Sequence, residues 1–350
     1  MIKFQKFDVL SLSESEWKTI HQYRRQVHLQ DTPEEPIVDD KTFEEQMKGQ
    51  IQIMQAEFYA YGIYDDQKFV GLFFFGFFKE SSPSYKTNEK IAIFQIEMLQ
   101  EYRRRGIGTE AIGMMIEPCE KNNKSIFITN SQIPETIKFF DAIGAKIAQR
   151  HEENKLTFSE LDWGMIDQWI KEAEQLNPKT RLETIIGPIP DKYIDEFLKS
   201  YDETAKLQPK DDLEMGDFTI TKEEFRKMEQ SDKIGGIVPL TIFTIEENGE
   251  VSGLTQLRRV PGKEKLLSQN LTGVPIKYRG RKLGKWVKAA MVKMVKEKYP
   301  DAEGIVTGNA ESNAAMLHIN RSLGFKKYKE NVMAQVTLDQ LKLYINSKSE

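Results

Sequence analysis

The 350-residue chain is too long for one ordinary core at roughly 100–200 residues per domain, so two domains are expected. Its 39% hydrophobic and 30% charged residues exclude disorder along the whole chain, and a net charge of −4 gives no global attraction to nucleic acid or an anionic membrane. The single cysteine, Cys119, excludes an internal disulfide and a cysteine-based zinc cluster, and fits a reducing compartment.

In chain order, the N-terminus lacks the apolar stretch of a secretory signal. Thr42-Phe43-Glu44-Glu45 has the spacing of a capping box and opens a helix. Residues 59–64 and 69–73 flank Asp65-Asp66-Gln67 as a β-hairpin. The apolar run 69–78 is about half the length of a membrane span and reads as a strand buried on both faces. A strand over 91–98, a basic loop at 102–108 and a helix from Thr109 to about Glu117 follow. A short strand at 125–129 then leads through a helix to Gly144-Ala145. These features describe a cytoplasmic chain without a membrane segment.

After an amphipathic helix at 161–176, stopped by Asn177-Pro178-Lys179-Thr180, the same series returns. Thr221-Lys222-Glu223-Glu224 repeats the capping box, and 240–245 with 251–254 repeats the hairpin around Asn248-Gly249. A strand at 271–274, a basic loop at 278–284, a helix at 285–298, a strand at 304–307 and Gly324-Phe325 complete it. Gly71 and Gly253 lie 182 positions apart, Arg103 and Arg279 lie 176 apart, and Gly144 and Gly324 lie 180 apart. The chain is therefore read as two copies of one α/β domain, at 1–160 and 181–350, joined by a connecting helix and linker at 161–180. His21, His28, His151 and His318 are too scattered for a structural metal site.

An Arg- and Gly-rich loop between a strand and a helix suits a pyrophosphate: glycine admits backbone N–H groups to the anion, and the helix start adds its positive dipole end. A plain strand-to-helix turn with solvated arginines fits the same residues. Gly106-x-Gly108-x-x-Ala111 matches a dinucleotide fingerprint in spelling but not in context, because the next strand ends at Thr129-Asn130 without the acidic residue that motif needs. The basic clusters are too short, and too poor in interleaved aromatics, for a nucleic-acid surface.

Arg103-x-x-Gly106-x-Gly108 and Arg279-x-x-Lys282-x-Gly284 resemble the acyl-CoA loop of the GNAT acetyltransferases, Arg/Gln-x-x-Gly-x-Gly/Ala, with Lys282 as the one departure. Thr272-Gly273-Val274, Thr307-Gly308-Asn309, Asn313-Ala314-Ala315-Met316 and Leu323-Gly324-Phe325 extend the resemblance to tandem GNAT proteins such as the mycothiol synthase-like enzymes. The implied fold is α/β (α+β): two tandem GNAT domains, each a mixed, mostly antiparallel sheet flanked by helices. The implied activity is transfer of an acetyl group from acetyl-CoA, or another acyl-CoA, to a small-molecule or protein amine by direct attack. The alternative is a non-catalytic acyl-CoA-binding or sensing protein.

By the same resemblance, pantetheine lies along backbone groups near Ile96 and Met98 in one half and Thr272 and Val274 in the other. The pyrophosphate falls to Arg103, Arg104, Arg105, Gly106, Ile107, Gly108 and Thr109, and to Arg279, Gly280, Arg281, Lys282, Leu283, Gly284 and Lys285. Asn313 holds the place of a last-helix asparagine that often contacts the cofactor in the family, and Asn309 is nearby. For catalysis, Glu97 stands where some members carry a carboxylate base, although an ordinary strand glutamate facing solvent or a lysine is the first reading of it; its counterpart is Gly273. The frequent tyrosine acid is replaced by Asn320 in the second half and Phe140 in the first. A thiol leaving group with a pKa near 8.5 tolerates the lack of an acid. The second half keeps the fuller set of family positions and is the expected catalytic one.

Overall fold

The computed structural model describes residues 1–349, which fall into two compact units. Unit 1 comprises Met1–Arg150, Lys210–Asp217 and Asn331–Glu350; unit 2 comprises His151–Pro209 and Phe218–Glu330. The units are not the two sequential halves. Each sequential half sends its last strand into the other unit, so the division at 160–181 expected from the sequence is not where the compact bodies part.

Unit 1 opens with β1 (Ile2–Phe7), α1 (Glu14–Asp31) and α2 (Asp40–Met54). Asp39, not Thr42, caps α2: the Asp39 carboxylate accepts from the Thr42 N–H at 3.0 Å, so the helix begins earlier than the Thr42 box implies. The hairpin β2 (Ala56–Asp65) and β3 (Lys68–Phe78) carries Phe73 and Phe75 into the core. After α3 (Tyr85–Asn88) come β4 (Ile91–Met98), α4 (Ile107–Lys121), β5 (Ile126–Ser131), α5 (Pro134–Ala142) and β6 (Lys146–Thr157).

In unit 2, α6 (Trp163–Leu176) is no free connector: Ile166 and Ala173 are fully buried in a core with Trp286 and Val287. Then follow β7 (Arg181–Ile186), α7 (Asp191–Lys206), α8 (Lys222–Ile234), β8 (Val238–Ile245), β9 (Val251–Arg259) and β10 (Leu266–Gly273). The expected Thr221 capping box is present, with the Glu224 carboxylate returning to the Thr221 N–H. The series ends with α9 (Leu283–Lys298), β11 (Gly304–Ala310), α10 (Ala314–Leu323), β12 (Lys326–Thr337) and α11 (Leu338–Ser349).

The duplication is visible in the pairings. Unit 1 runs β1-β2-β3-β4-β5-β12, and unit 2 runs β7-β8-β9-β10-β11-β6. In each, only one pair is parallel, β4 with β5 and β10 with β11. The last strand is antiparallel and comes from the opposite sequential half: Val332–Thr337 lies along β5, and the His151–Thr157 part of β6 lies along β11. The tail then finishes unit 1, where Leu341 is fully buried and the Tyr344 hydroxyl meets Thr109 at 2.8 Å. Leu341→Ala is expected to destabilise unit 1 by about 2–5 kcal/mol, seen as a lower urea midpoint.

Candidate functional site

The two parallel seams stop early. β4 and β5 pair through Ile93 and Ile128, and β10 and β11 pair through Gln269 and Thr307. Beyond those points β4 keeps its partner on the other side, β3, as far as Met98. Gln95 to Met98 therefore carry backbone groups on one edge with no ladder partner in β5, and such groups need a donor or acceptor from elsewhere. At the mouth of this gap the Gln95 side chain donates to Asn130.

The loops leading from each gap into α4 and α9 share one backbone. Arg104 (φ 65°) and Gly106 (φ 81°) are left-handed in unit 1; Gly280 (φ 83°) and Lys282 (φ 59°) are left-handed in unit 2. Two left-handed residues separated by one turn the intervening N–H groups toward a common concavity at the helix start, a nest for an anion. The glycine and the side-chain-bearing residue are exchanged between the two positions. The loop's conformation thus survives Lys282, whose cost is left-handed strain. Lys282→Gly is expected to raise the stability of unit 2 by about 1 kcal/mol, read from urea unfolding.

The loop side chains divide. Arg103 donates to Asp31 at 2.5 Å and to the Met98 carbonyl at 3.2 Å, which fixes the loop to the end of β4. Arg279 repeats the second contact, donating to the Val274 carbonyl at 3.3 Å. Arg104, Arg105 and Gly280 are exposed. Ile107 and Leu283 turn into the cores and can offer an anion only their N–H groups. Arg281, expected at the pyrophosphate, is turned away: it donates to Asn177 and Thr180 at 2.8 Å and pairs with Glu246 at 3.0 Å. Lys282 pairs with Glu172 at 2.8 Å, and Lys285 lies 4.4 Å from the Trp169 ring. The Thr109 hydroxyl is taken by Tyr344, and Asn313 caps α10 while donating to Gln208 at 3.3 Å.

Glu97 is on the unpartnered stretch of β4. Its side chain is reached by solvent, yet enough protein surrounds it that desolvation raises its carboxyl above the usual range. Tyr23 of α1 stands beside it, its hydroxyl buried without a well-aligned hydrogen bond and its pKa raised by burial and by the Glu97 charge. Arg103 and Asp31 complete this constellation, of which Tyr23 and Asp31 carry no motif in the sequence.

Asn320 is different. It is fully buried, its amide oxygen accepts from Lys288 at 2.6 Å, and its amide nitrogen donates to Asn309 at 2.7 Å. Fully buried, with its oxygen and one amide N–H engaged, it is no acid for a departing thiolate, and Asn309 is likewise buried. At Gly273, the counterpart of Glu97, a Cβ would lie 1.8 Å from the Thr204 methyl of α7, so no side chain fits there. The exposed His318 stays apart from all of these, and burial pushes the Cys119 thiol up to about 12. Among the described residues no group of three or more His, Cys, Asp or Glu side chains could hold a metal, and no helix is long and apolar enough to cross a membrane.

Residues 19–144 match the pattern of the Acetyltransferase (GNAT) family. Among solved structures, a tandem GNAT protein from the clavulanic acid biosynthesis pathway superposes at a TM-score of 0.72 with 18% identity, over 97% of this chain and 99% of that one. This chain has the tandem GNAT fold. A GCN5-related N-acetyltransferase from Sphaerobacter thermophilus gives a TM-score of 0.65 at 11% identity, over 96% of each chain. No curated protein sequence matches the chain. In this chain the splayed seams, the left-handed loops and the helix starts beyond them occur once in each unit.

Proposed function

We propose that the protein transfers an acyl group, acetyl in the simplest case, from acyl-CoA to an amine, and that unit 1 performs the transfer. The observation that carries this reading is the coincidence, in one unit, of the opened β4–β5 seam, the left-handed loop at Arg104 and Gly106, and Glu97 on the unpartnered strand edge. The free backbone groups of β4 would receive pantetheine and polarise the thioester carbonyl. Glu97 would take the proton of the attacking amine. The amine nitrogen then bonds to the carbonyl carbon, the C–S bond breaks, and its electron pair leaves with sulfur.

The family match of residues 19–144 supports the assignment to unit 1, and the glycine at 106 supports it further. A second reading, acyl-CoA binding without chemistry, is favoured for unit 2 by Gly273, which Thr204 covers and which leaves no base there. The test is free-thiol release from acetyl-CoA across an amine panel. Release that depends on the amine supports transfer. Saturable binding of acetyl-CoA without release by any amine leaves the second reading alone, and absence of binding removes both.

A further inference from the structure

The two faces of β3 are not covered alike. Phe73 and Phe75 point into the core of unit 1 and are fully buried, whereas Leu72, Phe74 and Gly76, on the other face, are only half-buried. Residues directly opposite one another in an antiparallel pair share a face. The register therefore puts Leu72 beside Glu97, Phe74 beside Gln95 and Ala60, and Gly76 beside Phe58. The Phe58 and Phe74 rings stand 5.6 Å apart, and Phe58 leans over Gly76, where a Cβ would lie 3.3 Å from its ring.

This strip is bounded. At one end Tyr23 of α1 packs on Phe69, their ring centroids 5.1 Å apart. At the other, Leu213 and Met215 pack with Ile93 and Ile128. On the seam side the Gln95 amide donates to Asn130. Between these bounds a half-exposed aromatic surface adjoins one carboxylate that solvent reaches, Glu97. A contiguous apolar strip left open and rimmed by polar groups marks a binding surface.

Unit 2 carries no such strip. The same register puts Gln256 at the place of Phe74, Arg258 at that of Gly76, Pro239 at that of Phe58 and Gly273 at that of Glu97. Gln256 donates to the Thr241 hydroxyl at 3.1 Å, and Arg258 pairs with Asp232. The fold therefore stands without rings at these positions. The copy that has the carboxylate has the rings, and the copy that lacks it is polar.

Glu97 and Phe74 are diagonal neighbours across the strand pair, about 7–8 Å apart. An ammonium on the Glu97 carboxylate and a ring on Phe74 are then joined by a tether of roughly two or three carbons. A polyamine or an amino alcohol would instead set charge or hydroxyl groups against the phenylalanines, where they lose water without gaining a partner. Resting on the reading that unit 1 transfers an acyl group with Glu97 as base, we propose that its acceptor is an arylalkyl primary amine, with its nitrogen at Glu97 and its ring on Phe74 and Phe58. The step is balanced: one N–H proton passes to Glu97, the amide C–N bond forms, the C–S bond breaks and CoA leaves as the thiolate. Phe74 and Phe58 set specificity by touching the ring and take no part in the proton transfer.

The experiment measures kcat/KM by thiol release from acetyl-CoA with the full chain, for 2-phenylethylamine, ethanolamine and 1,4-diaminobutane. 2-Phenylethylamine is expected to exceed both polar amines by about thirtyfold or more, the effect of burying one phenyl ring. Phe74→Gln, which installs the residue of unit 2, should lower that ratio about tenfold, through KM for 2-phenylethylamine more than through kcat. Equal turnover of the three amines, or preference for a polar one, overturns the inference and leaves transfer standing. Release with no amine overturns both. A ratio that survives Phe74→Gln also overturns the inference, because the ring then binds elsewhere. Should circular dichroism show Phe74→Gln unfolded, Phe74→Leu keeps apolar bulk without the ring. A ratio lowered about threefold then supports the inference, and an unchanged one overturns it.

Discussion

Replacing Gly108 with glutamate is expected to abolish acyl transfer, while the matching Gly284→Glu is expected to leave it within about threefold. A Cβ at Gly108 would stand 3.1 Å from the Phe139 ring, tighter than an ordinary contact, and the longer side chain is forced toward the concavity of the loop. There its carboxylate occupies the helix start that the pyrophosphate would use, setting like charge against like charge at the positive end of the dipole. A loss of roughly a hundredfold in acetyl-CoA affinity corresponds to about 2.7 kcal/mol, well within the reach of one misplaced charge and a steric block. Calorimetry measures the affinity, thiol release measures the activity, and unchanged circular dichroism separates both from misfolding. The opposite pattern, with Gly284→Glu inactive and Gly108→Glu active, would move the chemistry to unit 2.

Glu97→Gln is expected to lower kcat/KM by about 10²–10⁴ with acetyl-CoA affinity unchanged, since the amide keeps the shape and loses the base. The pH profile follows from the direction of its shift. A base acts above its pKa, and desolvation has raised Glu97, so activity climbs with pH along a limb displaced upward from the ordinary carboxylate range and is lost as pH falls through it. Tyr23→Phe removes the phenol beside the carboxyl and should shift that limb while leaving kcat at its plateau within a few-fold. Initial rates between pH 4 and 9 test both. An acidic limb that stays in Glu97→Gln at full height would show that the proton goes elsewhere.

The repeat was legible because duplication leaves punctuation behind: capping residues, hairpin turns and glycines recur at nearly constant spacing. The loops were legible for a related reason, since left-handed positions favour glycine. That same logic misjudges Lys282, which adopts φ 59° in spite of its side chain. Asn320 could be placed by counting back from Gly324, but its partners come from β11 and α9, and only the folded chain brings them together. Lys288 had a signal: it interrupts the apolar run Trp286-Val287 and Ala289-Ala290-Met291-Val292. In a helix with lysines on its exposed turns, one more lysine reads as solvated, although α9 is buried on almost every side. The exchange of last strands was not legible, because β6 and β12 have the same length and comparable alternation, and either would complete either sheet.

That exchange sets an order of assembly. Val332–Thr337 supply the sixth strand of unit 1, and α11 supplies part of its core, so unit 1 closes only with segments that follow all of unit 2 in the chain. During synthesis unit 2 has its full complement of chain first, while β5 waits with a bare edge for a segment that the ribosome has not yet released. A nascent chain arrested after Glu330 should hold unit 2 resistant to protease and unit 1 still open to it. Unit 1 would then mature after unit 2, and Glu97-dependent chemistry would wait for residues 331 onward.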